Sequence, residues 1–365
     1  MDSTTDTQTS STAAVVVLRT FFIAMNALAI VLVNILNILI LIRASIGSEP
    51  ARIYISSLAL ADILVGLLAF CSTLPSGHDG FPFGVELCQV AGSLFAIGVM
   101  LSVTFLAFIS VDRLVAVTMA LRYEHLVTRK RAAVTAILAW TVISGLMLIA
   151  ILLWPDIMDY NEATFFCEPR FEDANFPPVM FIGIMTWILG CDLTMTVTYG
   201  HLFRVAHRHS RRIAAQELAV TAAAVHGGGP PRRSRVIPWK DMKAVRMSLA
   251  VTLAFNVAWV PTICLDFYKF TRKTNASPGT EFAITWLSVS NSWWNFLIYS
   301  GMNKQFRDAV KHLAKQTWAK CKRGTPERQP QDRNSPVQEI QHIRETRHRV
   351  VWEGGERHVV GETSC

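Results

Sequence analysis

"LCQVAGSLFAIGVMLSVTFLAFISVDR" occupies Leu87–Arg113. Its first twenty-five residues, Leu87–Val111, carry no charge, and Asp112 and Arg113 then stand side by side. Twenty-five residues of helix rise roughly 37 Å. A hydrocarbon layer is ~30 Å thick, and its interior accepts only helices or closed barrels, because backbone polar groups must bond internally there. The stretch therefore reads as one membrane-spanning helix, with Cys88 at one surface and the Asp112–Arg113 pair at the other.

Six more blocks repeat the pattern. Thr20–Ile42, Ala132–Trp154, Met247–Leu265 and Phe282–Met302 have no charge, while Ile53–Leu74 and Phe176–Tyr199 contain one each, Asp62 and Asp192. The chain is 51% hydrophobic and only 17% charged, against about 25% charge in soluble domains. Core helices of a soluble protein rarely run so long with at most one charge seven times over. The expected fold is an all-α membrane protein, a seven-transmembrane helix bundle. Met1–Thr12 is rich in Ser and Thr and carries Asp2 and Asp6. It lacks the basic start of a signal peptide, so the first span is expected to act as its own insertion signal.

Charge orients the bundle. The segments after the first, third and fifth spans hold Arg43 and Arg52, then Arg113 to Arg131, then a basic run from Arg204 to Lys243. Pro75–Glu86 has no Lys or Arg, and Pro155–Asn175 sets Arg170 against six acids. Lys269, Arg272 and Lys273 are the exception. Basic loops face the cytoplasm, so the N-terminus is expected outside. Because the basic residues lie between spans, nucleic acid is not an expected partner.

Cys88 and Cys167 are the two cysteines expected on the oxidising side, which predicts a disulfide between them. Asn275-Ala-Ser is a glycosylation sequon in an outer loop. Residues 206–240, with "HGGGPPRRSR", read as a flexible connector. Residues 303–320 place Phe306, Val310 and Leu313 on one face and lysines and arginines on the other, an amphipathic helix suited to an anionic membrane surface. Cys321 at its end is a candidate palmitoylation site. The expected divisions are an outer N-terminus at 1–19, the bundle at 20–302, the amphipathic helix at 303–320 and a disordered cytoplasmic tail at 321–365.

Asp62 sits in mid-span, where an ionisable residue is costly and functional by default. Asn34, Ser102, Asn291, Ser292 and Asn295 are its candidate partners. Such a ring suits a small cation, a proton or a plain helix-packing hydrogen-bond cluster. No Asp–Asp, Ser–His or His-x-x-x-His set lies in the spans, so no enzyme is expected. No repeat or broken helix suggests a transporter or channel.

In order and spacing, these residues resemble the rhodopsin-like (class A) G-protein-coupled receptors. The resemblance rests on Asn34, "LALAD" ending at Asp62, "FPFGVELC" ending at Cys88, "VDR" with "ALRYEHLVTRKR", and Trp140. It continues with Tyr199, "FNVAWVP" with Phe255, Trp259 and Pro261, "NSWWNFLIY" and "NKQFRDAV". It implies a sodium ion at Asp62 and no other cofactor. It implies a plasma-membrane receptor for a small extracellular ligand, acting on a heterotrimeric G protein by outward movement of the sixth helix, with arrestin, a receptor kinase and membrane lipids as further partners. The ligand pocket is expected from Phe95, Val99, Met100, Glu168, Trp259, Thr262, Ile263, Asp266, Thr285 and Trp286, although each also suits plain bundle core. The coupling switch is expected from Asp112, Arg113, Tyr199, Asp241 and Tyr299. Asp241 lies twenty residues before Pro261, about 30 Å along a helix, at the depth of Arg113, which suggests a cross-helix pair.

The chain departs from the family pattern. Leu114 replaces the tyrosine after Asp-Arg, Phe296 replaces the proline after Asn295, and Cys191 replaces the fifth-helix proline. A receptor-like membrane protein with weak or no G-protein coupling is the alternative these departures keep open, with a transporter or channel as the other. Phe95 stands where amine receptors carry an aspartate, and Val289 where opsins carry the retinal lysine. Asp192 has no assigned role.

Overall fold

The computed structural model describes residues 3–44, 47–77, 81–225 and 239–323. Side chains at 3–13, 206, 209–210, 212–214, 216–225, 239–245, 248, 316–317 and 319–323 lie outside that description. Seven long helices follow one another: α1 (Ser3–Ala44), α2 (Glu49–Cys71), α3 (Val85–Thr118), α4 (Arg129–Leu153), α5 (Pro178–Val225), α6 (Trp239–Arg272) and α7 (Pro278–Met302). An eighth, α8 (Lys304–Arg323), comes after them, and a single helical turn, Tyr123–Leu126, lies between α3 and α4. A hairpin of β1 (Met158–Asn161) and β2 (Phe166–Pro169) joins α4 to α5.

Local chemistry starts the helices where the sequence changes character. Ser48 Oγ accepts from Ala51 N at 3.4 Å, Thr128 Oγ1 from Arg131 N at 3.3 Å and Ser277 Oγ from Thr280 N at 3.3 Å. These side chains cap the open N–H groups of α2, α4 and α7. Pro50 and Pro278 sit in the first turns, where a missing N–H costs nothing.

Two boundaries differ from expectation. α1 begins at Ser3 rather than Thr20, so residues 3–19 are helical. α5 continues to Val225, through much of the expected connector. Residues 211–225 read "RRIAAQELAVTAAAV", a run dominated by strong helix formers, and the helix-breaking Gly and Pro begin only at Gly227, outside the described residues.

The bundle is apolar outside. Ile137, Leu138, Leu152, Val179 and Leu193 are more than half exposed, the reverse of a water-soluble surface. α1 to α6 are each long and apolar enough to cross a membrane. α7, at 25 residues, is long enough, but it falls outside that set. Its Ser288, Ser290, Asn291, Ser292 and Asn295 are all buried, facing the interior. α3 is central, touching α2, α4, α5, α6 and both strands, with Leu101 and Phe105 fully buried.

The hairpin is anchored to α3. Tyr160 lies opposite Cys167, and Cys167 forms a disulfide with Cys88, Cα–Cα 5.4 Å. Gly92, one turn further along α3, makes this contact possible. A Cβ there would meet Cys167 O at 2.6 Å. The hairpin tip turns inward: Phe165, with φ of 64°, and Phe166 are buried among Ile23, Val65, Trp286 and Val289.

Candidate functional site

Among the described residues, one cavity inside the bundle lies at the Cys88 end and another at the Arg113 end. The first, about 130 Å³, is lined by Phe95, Val99 and Met100 of α3, Trp259, Thr262 and Asp266 of α6, Thr285 of α7 and Glu168 of β2. Ile263 and Trp286, expected with them, do not line it. Ile263 is one residue past Thr262, a third of a turn round α6, and packs with the cluster of Phe171, Phe176 and Phe181. Trp286, next to Thr285, turns toward the hairpin tip. Its Nε1 donates to Thr164 O at 3.1 Å, and its ring lies 4.9 Å from Phe166.

The sequence reading missed the most polar part of this cavity. Lys269 is only 3% exposed. Its Nζ lies 3.4 Å from Glu168 Oε1, 3.7 Å from Glu172 Oε2 and 3.6 Å from Glu281 Oε2. Asn161 Nδ2 donates to Glu168 Oε1 at 2.7 Å and to Glu281 Oε2 at 2.9 Å. Ala276 N donates to Glu281 Oε1 at 2.7 Å. Burial pushes the Glu168 carboxyl above its ordinary range, while Lys269 and Asn161 pull it back. One signal was available: Trp259, Thr262, Asp266 and Lys269 recur at helical spacing, so the cavity-lining stripe of α6 extends one turn to Lys269. No spacing links Glu281 or Asn161 to it.

Below the cavity lies the Asp62 network, and Ser102, Asn291 and Ser292 belong to both. Asp62 is fully buried. Its Oδ1 accepts from Ser102 Oγ at 2.9 Å, the Ser292 hydroxyl interacts with the carboxylate, and Oδ2 accepts no hydrogen bond of normal geometry. Asn34 Nδ2 donates to Ser292 O at 3.1 Å, tying α1 to α7. Asn295 is buried, with Nδ2 unpartnered.

The cavity at the Arg113 end, about 100 Å³, brings together Arg113, Tyr199 and Tyr299 with Met247, Val251 and Phe306. Arg113 Nε donates to Asp112 Oδ2 at 3.0 Å. Tyr123 donates to Asp112 Oδ1 at 2.7 Å, and its hydroxyl also bonds Ser48 Oγ at 2.8 Å. The turn after α3 and the cap of α2 thus hold the Asp112 carboxylate. Asp241 lies in the first turn of α6, but its side chain is outside the described residues, and so is the proposed Arg113–Asp241 pair. The side chain of Cys321 is outside them as well.

Asp192 accepts from Asn256 Nδ2 at 3.1 Å, a polar tie between α5 and α6. Asn275 is exposed in the short link before α7. Phe306 anchors α8 to the bundle, its ring 5.6 Å from Phe296 and 6.2 Å from Tyr299. Among the described residues, no group of His, Cys, Asp and Glu side chains is arranged to hold a metal ion.

The chain resembles several characterised proteins along most of its length. It is 27% identical to G-protein coupled receptor 52 of Bos taurus over 73% of this chain and 72% of that protein. Probable G-protein coupled receptor 21 of Homo sapiens is 26% identical over 76% and 77%, and the human histamine H2 receptor 28% over 71% and 69%. The family profile described as "7 transmembrane receptor (rhodopsin family)" matches residues 33–299, from beside Asn34 to Tyr299. With seven helices, the Cys88–Cys167 bridge and the Asp62 and Arg113 constellations in place, the chain belongs to the rhodopsin family of seven-transmembrane receptors, which are receptors rather than enzymes.

Proposed function

We propose that this receptor lies in the plasma membrane with its N-terminus outside, binds a small extracellular ligand beneath the hairpin, and activates a heterotrimeric G protein by outward movement of the Arg113-side end of α6. The observation that carries the reading is that α6 lines both cavities. It gives Trp259, Thr262 and Asp266 to one and Met247 and Val251 to the other. Pro261 stands beside Trp259 inside the helix, where the missing N–H weakens the ladder and favours a bend. A ligand pressing on Trp259 acts next to that bend. It shifts the equilibrium only by its differential affinity for the two states.

The outer cavity is smaller than the ~300–1,000 Å³ of common small-molecule sites, so an ordinary ligand enters only as the hairpin cap yields. Phe95 supplies no amine anchor on α3, so the ligand named by the histamine receptor does not carry over directly. The Asp62 carboxylate, with a free Oδ2 and the Ser102 and Ser292 hydroxyls at hand, fits a sodium ion, which supplies charge balance in the resting state. Residues 20–302 form the receptor domain on this reading. α8 lies on the inner leaflet with Cys321 palmitoylated, Asn275 is glycosylated, and residues 321–365 meet arrestin and a receptor kinase. The departures at Leu114, Cys191 and Phe296 favour a second reading, a receptor that couples weakly. Purified receptor in nanodiscs decides between the two. Acceleration of nucleotide exchange on a heterotrimeric G protein, lost in Arg113→Ala with the fold intact, is expected. No acceleration on any Gα class leaves only the weak-coupling reading.

A further inference from the structure

Glu168, Lys269 and Glu281 line two cavities at once. One is the cavity above Trp259; the other, about 380 Å³, opens beyond the hairpin and adds Glu162, Glu172 and the Asp159–Arg170 ion pair, 3.0 Å, to its walls. The ion-paired cluster is thus the partition between an outer vestibule and the inner cavity. Its carboxylates do not depend on the lysine for their positions: Asn161 bridges Glu168 and Glu281, and Ala276 N holds the other oxygen of Glu281. Lys269, in contrast, meets its carboxylates only at longer range. Its contacts of 3.4, 3.7 and 3.6 Å exceed the ~2.7–2.9 Å of well-formed charge-assisted bonds, and only the one to Glu168 is a hydrogen bond. Three carboxylates share one ammonium, with Asp266 one turn below, which leaves negative charge in a buried place where charge must be compensated. With Arg170 paired to Asp159, Glu162 and Glu172 still leave the vestibule wall acidic, and that charge draws cations toward the partition.

We propose that Lys269 is a tethered cation filling a subsite for organic amines, and that a small primary amine entering from the vestibule displaces its ammonium from between Glu168 and Glu281. The proposal rests on the receptor reading for its orientation and deepens it by naming the ligand class. It also relocates the amine anchor: α3 lacks a carboxylate at Phe95, and β2 and α7 supply one each instead. The lysine competes as an intramolecular ligand, at an effective concentration set by its tether. Removing it leaves a cation subsite that a free amine can fill.

The test is thermal melting of the purified full-length receptor and of K269M and E281Q, with propylamine, phenethylamine and tyramine, each against its N-acetyl counterpart. Without additive, K269M melts below wild type. Free amines raise its melting temperature, half-saturating at about tenfold lower concentration than in wild type, and the uncharged amides raise neither. E281Q loses the amine response. Amides as effective as amines, no shift with any free amine, or a K269M response no stronger than wild type would overturn the proposal. If K269M does not fold, E281Q decides: an amine shift in E281Q equal to wild type is the overturning result. Melting involves no G protein, so failure here leaves the signalling reading intact, and failure to activate a G protein leaves this result intact.

Discussion

Asp112→Asn removes the charge that holds Arg113 and little else. The Asp112 side chain is 1% exposed and that of Arg113 24%. Oδ2 accepts from Arg113, and Oδ1 accepts from Tyr123 at 2.7 Å. Asparagine keeps an oxygen for Tyr123 but offers Arg113 no charge. A hydrogen bond to a charged group contributes about 1.5–3 kcal/mol, and the partial exposure of Arg113 places this pair near the lower figure. If the pair belongs to the resting state, a loss of about 1.4 kcal/mol changes the resting-to-active ratio about tenfold. A receptor active about 1% of the time would then be active about 10% of the time. Ligand-free G-protein dissociation in cells, at matched surface expression, should rise several-fold toward that limit. Tyr123→Phe is the control. It keeps the ion pair and strands Oδ1, so it is expected to lower thermal stability by about 1–2 kcal/mol with basal signalling near wild type. An unchanged basal level in Asp112→Asn, or an equal rise in Tyr123→Phe, refutes the claim that the Asp112–Arg113 pair holds the resting state.

Gly92→Ala sets a methyl group against the Cys167 carbonyl, which the disulfide keeps from retreating, so thermal melting should show a loss of about 1–3 kcal/mol; a melt like wild type contradicts the close approach. Cys88→Ser and Cys167→Ser should each cost about 2–5 kcal/mol and the double variant no more than either, whereas additive losses deny a shared bond. Sodium in place of choline should raise the melting temperature of wild type but not of Asp62→Asn; an equal sodium response in both removes the ion from Asp62.

The membrane made most of the fold legible. A helix in lipid has few alternatives, so the Leu87–Val111 run reads directly as α3, and the same logic finds the six other spans. Where lipid no longer constrains the chain, composition decides less plainly, and the polar start of α1 and the Ala-rich end of α5 are helical past their expected limits. The outer cavity is legible where residues share one helix face, as Trp259, Thr262 and Asp266 do. Ile263 and Trp286 fall outside because each sits one residue off a lining residue, Ile263 past Thr262 on α6 and Trp286 past Thr285 on α7. Lys269 stands out in the sequence as a positive charge on the outer side, and helical spacing puts it on the stripe of Trp259, Thr262 and Asp266, but neither signal shows what it pairs with. Its meaning depends on Glu168, Glu172 and Glu281, which a hairpin and a different helix bring to it. The hairpin's own course depends on a disulfide, on Gly92 and on two phenylalanines that fill the bundle, a tertiary arrangement with no local pattern.

That α6 carries the signal between the two cavities is tested most directly by a distance. Spin labels at Lys130, exposed at the start of α4, and Arg246, exposed on α6, report the opening of the Arg113 end once the non-disulfide cysteines are replaced. Double electron–electron resonance on labelled receptor in nanodiscs should give one main distance alone and a longer one when a nucleotide-free G protein is bound. Arg113→Ala should keep the short distance under the same conditions. Nucleotide exchange catalysed by a labelled receptor whose Lys130–Arg246 distance does not change would contradict the mechanism.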